Sequence, residues 1–138
     1  MSFELKKLDD KIPVTGQIMV ADIANIKAQG FSTIINNRFD GENEGQPSAE
    51  SIRTTAEQAG LKYVYLPIEP GKPSEDPILG FSQVINDCPG TVLAHCGKGM
   101  RATVLWALSK VGRQSPDDLS SAAKQAGYDI SAVRPQLI

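Results

Sequence analysis

The 138 residues include 16 acidic and 14 basic side chains, for a net charge of −2, with 41% hydrophobic and 22% charged residues. That balance describes one domain, residues 1–138, large enough to bury a core without disulfide or metal staples. It lacks the basic excess of a nucleic-acid or membrane-surface binder, and no apolar stretch approaches the ~20 residues that span a bilayer.

The N-terminal MSFELKKLDDKIPV has neither the apolar centre nor the cleavage site of a secretion signal, so a cytoplasmic protein with reduced thiols is expected. Ile12–Ile18 reads as a strand, or as a strand pair around a Thr15-Gly16 turn. Val20–Gln29 carries Ile23 and Ile26 at helical spacing, and Gly30 closes it. Phe31–Ile35 is a short β-branched run and reads as a buried strand. The polar stretch Asn36–Pro47 is a loop, after which Ser48 caps a helix running to Ala59.

Tyr63–Leu66 is the next strand, with the tyrosines Tyr63 and Tyr65 on one face, and Pro67–Pro73 the next loop. Asp76-Pro77 marks a helix start, Asp76 reading as its N-cap, with Ile78, Phe81, Val84 and Ile85 on one apolar face. Thr91–Ala94 is a buried strand and Ala102–Val111 a helix, with Trp106 read as core. Ser115-Pro116 opens a last helix ending near Gly127, and the tail to Ile138 shows no clear period. Such alternation implies an α/β fold with a central, largely parallel sheet of four to five strands flanked by helices. Sites in such sheets lie beyond the carboxyl ends of the strands, which brings together the loops after Ile35, Leu66 and His95.

Cys88 and Cys96 flank the strand 91–95, which at ~3.3 Å per residue separates them beyond disulfide reach. The chain has one His, so neither a His/Cys zinc site nor any other metal or cofactor is expected. His95, on a strand, points away from Cys96 and reads as a support beneath the loop backbone. Cys88, at a turn, reads as inert.

The segment T-V-L-A-H-C-G-K-G-M-R-A-T is a strand, a loop and a helix start. Cys96 leaves the strand beside the N-terminus of the next helix, where backbone N–H groups and the helix dipole favour a thiolate. Gly97 and Gly99 let the loop curl so that the N–H groups of the Gly97, Lys98, Gly99 and Met100 stretch point inward at an anion. Arg101 offers two parallel donors to close the ring. Cys96 and Arg101 are therefore the expected catalytic pair. Arg38 is a surface arginine that could add a second anion contact.

Beyond this loop, the stretches L-D-D-K-I-P-V-T-G-Q, G-F-S-T-I-I-N-N-R, D-G-E-N-E-G-Q-P-S, Y-V-Y-L-P-I, V-L-A-H-C-G-K-G-M-R and A-G-Y-D-I stand in an order that resembles the phosphatase-like domain of the beta-lactamase-hydrolase-like proteins. The resemblance implies the fold of the dual-specificity and tyrosine phosphatases. In larger relatives the domain is joined to a metallo-beta-lactamase-like hydrolase linked to sulfur metabolism. The family usually has Arg-Ser where this chain has Gly97-Lys98, and Ser where it has Ala102; it commonly has Pro at the position of Phe39. In phosphatases that Ser hydroxyl helps the thiolate leave the phosphoenzyme, and Thr103 stands one residue late for it. The spacing here is C-x4-R, one residue shorter than the tyrosine-phosphatase loop and equal to a rhodanese-like loop.

The resemblance also asks for an Asp general acid just after the strand 63–66. The matching I-E-P-G-K-P-S-E-D has none there, and Glu69 is the nearest candidate, followed by Asp76. Asp40, Glu42 and Glu44 read as solvated loop acids. Three functions therefore stand side by side: a cysteine phosphatase acting on phosphate monoesters, a rhodanese-like sulfurtransferase or persulfide carrier, and an anion- or phosphopeptide-binding module. The expected partner is a phosphorylated small molecule or phosphoprotein, with no nucleic acid or membrane, and the sequence leaves the oligomeric state open.

Overall fold

β-branched and apolar runs supply the strands, and the polar and glycine-rich stretches between them supply the loops. The computed structural model describes residues 4–138. Its strands are β1 (Lys6–Lys7), β2 (Pro13–Thr15), β3 (Phe31–Asn36), β4 (Lys62–Tyr65) and β5 (Thr91–His95). They form one sheet in the order β1-β2-β5-β3-β4. The β2–β5, β3–β5 and β3–β4 pairings are parallel, and only β1–β2 is antiparallel. This is the expected largely parallel α/β sheet.

The helices are α1 (Ile23–Ala28), α2 (Ala49–Gln58), α3 (Glu75–Asp87), α4 (Met100–Ser109) and α5 (Pro116–Gln125). Short 3-10 turns cover Val20–Asp22 and Ser131–Leu137. Alternation along the strands divides the core in two. Val92 and Ala94 of β5 join Ile35, Phe81, Leu105, Trp106 and Leu119 on one face of the sheet. Leu93 joins Ile23, Ile26, Ile34 and Ile52 on the other. Cys96 continues the first set, so its sulfur emerges on the α4 side of the sheet while His95 faces the other way.

α4 is buried from Arg101 through Leu108, as a helix held between the sheet and its neighbours must be. Trp106 is fully buried and donates its indole N–H to Asp9 Oδ2 at 2.9 Å. The helix that carries the site is thus anchored in the middle of the fold.

Three expectations shift. The opening hairpin turns at residues 8–12, not at Thr15-Gly16, because Asp9 Oδ1 accepts from the N–H groups of Lys11 and Ile12. Gly16 serves a different purpose: a Cβ there would stand 2.8 Å from the Gly97 carbonyl oxygen, so only glycine lets β2 run this close to the Cys96 loop. α3 begins at Glu75 with Ser74 at its N-cap, which places Asp76 inside the first turn and exposed. The tail is ordered by packing, with Ile130, Val133 and Leu137 buried against the first core. Ser48 and Ser115 cap α2 and α5 as expected, accepting from the N–H groups of Ser51 and Asp118.

Candidate active site

The carboxyl ends of β3, β4 and β5 converge as the sheet rule requires. Cys96 follows β5 directly, is 1% exposed, and receives a hydrogen bond on its sulfur from the Gly99 N–H at 3.1 Å. Gly99 has φ +95° and is the N-cap of α4, so the loop turns into the helix through a left-handed residue. Met100 is the first residue of that helix. Gly97, Lys98, Met100 and Arg101 line one cavity with Cys96. The expected cradle residues are therefore brought together.

Tyr128 of A-G-Y-D-I braces this turn, donating from its hydroxyl to the Lys98 carbonyl at 2.9 Å. A Cβ on Gly99 would collide with the Tyr128 hydroxyl as well as straining the left-handed backbone. Gly99→Ala is expected to cost about 1–2 kcal/mol in urea unfolding. An unchanged unfolding midpoint would show that the loop has no need of this geometry.

Arg101 is 9% exposed and joins the three loops. Its Nη1 donates to Glu42 Oε2 at 2.7 Å and to the Ile68 carbonyl at 3.1 Å, and Nη2 donates to Glu42 Oε1 at 2.8 Å. Arg38, buried at 7%, donates from Nε to the same Glu42 Oε1 at 2.9 Å and from Nη1 to Gln17 Oε1 at 3.1 Å. One carboxylate thus bridges two guanidinium groups. The hydrogen bond from Arg101, reinforced by Arg38, holds the Glu42 pKa down to about 2. Glu42 in turn raises the Arg101 pKa, burial opposes it, and the adjacent Cys96 adds to the rise.

A guanidinium has five N–H donors, and these bonds use three of them. The Cys96 side chain lies within reach of the same guanidinium and acts on it both by charge and by hydrogen bonding.

Glu42, expected as a solvated loop acid, is ion-paired to two arginines, and Arg38, expected at the surface, is buried. The available signal was the Arg38/Glu42 spacing beside a loop at the active sheet edge, but their shared partner is set by the tertiary fold. Glu69 does not reach the cavity: its side chain is 62% exposed and lies 3.4 Å from Lys72 Nζ. Asp40 accepts the Ala49 N–H at 2.7 Å and so stiffens the start of α2. Thr103 donates its hydroxyl to the Gly99 carbonyl at 2.8 Å, within its own helix.

His95 is completely buried; its ring makes no hydrogen bond of ordinary geometry, but the Cys96 backbone lies close enough to act on it from the loop above. Burial pushes its pKa down to about 3. Its carbonyl accepts from the Asn37 N–H at 2.8 Å, which ties β5 to the loop after β3. Both thiols are free, and Cys88 ends α3 at the opposite end of β5 from Cys96. Among the described residues no group of three His, Cys, Asp or Glu side chains could hold a metal, and no helix is long and apolar enough to cross a membrane.

Residues 4–113 match the family model of the phosphatase-like domain of the beta-lactamase hydrolase-like proteins. The chain belongs to this family. The beta-lactamase hydrolase-like protein of Agrobacterium fabrum is 35% identical over 128 residues, covering 91% of this chain and 30% of that protein. The one from Xylella fastidiosa is 33% identical over 125 residues, covering 89% and 29%. The chain therefore spans about a third of the length of these relatives.

Among solved structures, a candidate phosphatase from Neisseria meningitidis superposes with a TM-score of 0.83 at 31% identity, covering 95% of this chain and 94% of that one. Kinase associated phosphatase, with its catalytic-site cysteine substituted by serine, superposes at 0.75 and 14% identity, covering 97% and 89%. This phosphatase-like domain has the fold of the tyrosine and dual-specificity phosphatases.

Proposed function

We propose that this domain hydrolyses phosphate monoesters through Cys96, with Arg101 clamping the transferring phosphoryl group. The observation that carries this reading is the guanidinium of Arg101 beside the Cys96 sulfur, fixed on one edge by Glu42. Preorganised donors aimed at developing charge are the largest single source of catalysis in such sites.

In this reading the Cys96 thiolate attacks phosphorus and the bond to the ester oxygen breaks. Water then attacks the thiophosphate, breaking the S–P bond, releasing inorganic phosphate and restoring the thiolate. The Gly99 N–H and the helix N-terminus stabilise the sulfur whenever it carries charge. No Asp, Glu or His lines the cavity among the described residues, so the leaving oxygen takes its proton from water.

That same feature, with Ala102 and the C-x4-R spacing, favours a second reading in which Cys96 carries a persulfide and needs no acid. The deciding experiment assays purified protein with p-nitrophenyl phosphate and, separately, with thiosulfate plus cyanide. Phosphate release with a thiophosphate adduct on Cys96 supports the first reading. Thiocyanate formation and a persulfide mass on Cys96, without phosphate release, would replace it with the second. Phosphate binding without either turnover would make the domain an anion-binding module.

A further inference from the structure

We infer that Tyr128 is a positioning residue for the anion cradle, its hydroxyl holding the Lys98–Gly99 peptide with the N–H turned toward Cys96 and the anion above it. This rests on the loop being an anion cradle, which all three chemistries above share, and adds what keeps that cradle in its binding form.

In a trans peptide the C=O and the N–H point in opposite directions, so whatever holds the carbonyl also aims the N–H. The Lys98–Gly99 peptide is held at both ends. Its carbonyl accepts from the Tyr128 hydroxyl at 2.9 Å, and its N–H donates to Cys96 Sγ at 3.1 Å. The neighbouring loop carbonyls are held by other means. Gly97 accepts from the Gln17 N–H at 3.2 Å, and Gly99 accepts from the Thr103 N–H at 3.0 Å and the Thr103 hydroxyl at 2.8 Å. Those partners belong to the chain just past β2 and to α4. The middle carbonyl alone of the three depends on a side chain from the C-terminal segment.

The backbone of Gly99 shows why the middle peptide needs a latch. Its φ of +95° goes with the inward N–H. Turning that peptide over by half a turn takes residue 99 to negative φ, as in the change from a type II to a type I turn. The overturned peptide would point the Lys98 carbonyl at the anion and take the Gly99 N–H off the sulfur. Glycine adopts either sign of φ at similar cost, so Gly99 itself does not choose. Tyr128 supplies the choice. Its ring packs against the first core, and its own N–H donates to the Ala123 carbonyl in the last turn of α5 at 2.8 Å. Burial raises the phenol pKa, with Cys96 and Glu4 adding to the rise, so the hydroxyl keeps the proton it donates.

The test is Tyr128→Phe, which removes one oxygen and leaves the ring. Its readout is the ratio of Cys96 alkylation rates by iodoacetate and by iodoacetamide, followed by mass spectrometry on the Cys96 peptide. Both reagents form an S–C bond and expel iodide, but only iodoacetate carries an anion for the cradle to hold. A general loss of stability or of thiol reactivity moves both rates together and cancels in the ratio. Tyr128→Phe is expected to cut the ratio by at least about threefold. It should also weaken methylphosphonate, titrated by amide shifts, by about tenfold. Gly99→Ala, whose side chain favours negative φ, should lower the ratio in the same way.

A parental ratio and affinity in Tyr128→Phe, or an equal fall of both alkylation rates, would overturn the inference and leave the cradle reading intact. If loss of the hydroxyl unfolds the domain, a parental ratio in Gly99→Ala would overturn it instead. A parent protein that favours neither reagent and binds no methylphosphonate would overturn the cradle reading as well.

Discussion

Serine in place of Cys96 is expected to lower phosphate release from p-nitrophenyl phosphate by at least ~10³-fold. A thiol forms its anion far more readily than an alcohol, and in the proposed reaction the anion is the attacking group. The swap removes no packing atom: Cys96 sits among Ala94, Ala102 and Leu105 in the first core, and a hydroxymethyl group fills nearly the same volume. Circular dichroism and the urea midpoint should therefore stay close to the parent protein while the rate collapses. Methylphosphonate should still bind, because its donors are Arg101 and the loop N–H groups. Release at the parental rate would remove the reaction from this loop altogether.

Glu42→Ala should have the second-largest effect, lowering turnover by about 10²-fold. Without the carboxylate, Arg101 loses two of its three hydrogen bonds and Arg38 loses its Nε contact. The clamp then samples orientations that miss the phosphoryl oxygens. The same variant has a pH signature. The Glu42 carboxyl, ordinarily near 4.5, is held down to about 2 in the folded protein. A carboxylate so depressed adds stability that is complete above its unfolded pKa and disappears as pH falls through its folded pKa. The stability gap between parent and Glu42→Ala should hence be constant above about pH 5 and shrink between about pH 4.5 and pH 2. Urea unfolding at several pH values measures that gap, and a gap that stays flat to the acid limit would show that the two arginines do not depend on Glu42.

Much of the sheet was legible in advance because its signals are local. Phe31–Ile35 and Thr91–Ala94 announce strands by their apolar runs, and Ser48 and Ser115-Pro116 announce helices by their caps. Each signal acts within one turn or one pleat of its own residue. Of the two readings of Ile12–Ile18, the single strand stands and the Thr15-Gly16 turn does not: a Thr-Gly pair is a turn signal by composition, whereas the hairpin turn is set by Asp9 accepting from two N–H groups. The tail was missed for a related reason. Ile130, Val133 and Leu137 form a buried set only because a core is there to receive them.

The loop from Cys96 to Arg101 shows the same division. Its thiol, its glycines and its arginine are legible as one strand–loop–helix unit, since all three lie within six consecutive residues. Glu69 was chosen as the acid because it is near in sequence to the right strand, but its backbone turn carries the side chain out to Lys72. Glu42 was set aside because loop acids are usually solvated.

Residue pattern alone sets the alternating α/β order, the sheet edge at which the loops gather, and a thiol followed by a glycine-rich turn into a helix. Tertiary packing alone places Glu42 between Arg101 and Arg38, leaves no carboxylate among the described residues lining the cavity, and brings Ile130, Ala132, Val133 and Gln136 to its wall. Periodicity and caps are short-range and leave a mark in neighbouring residues. A salt bridge between loops, or a wall made by a distant tail, exists only once packing has closed the chain around it, and it leaves no local pattern to read.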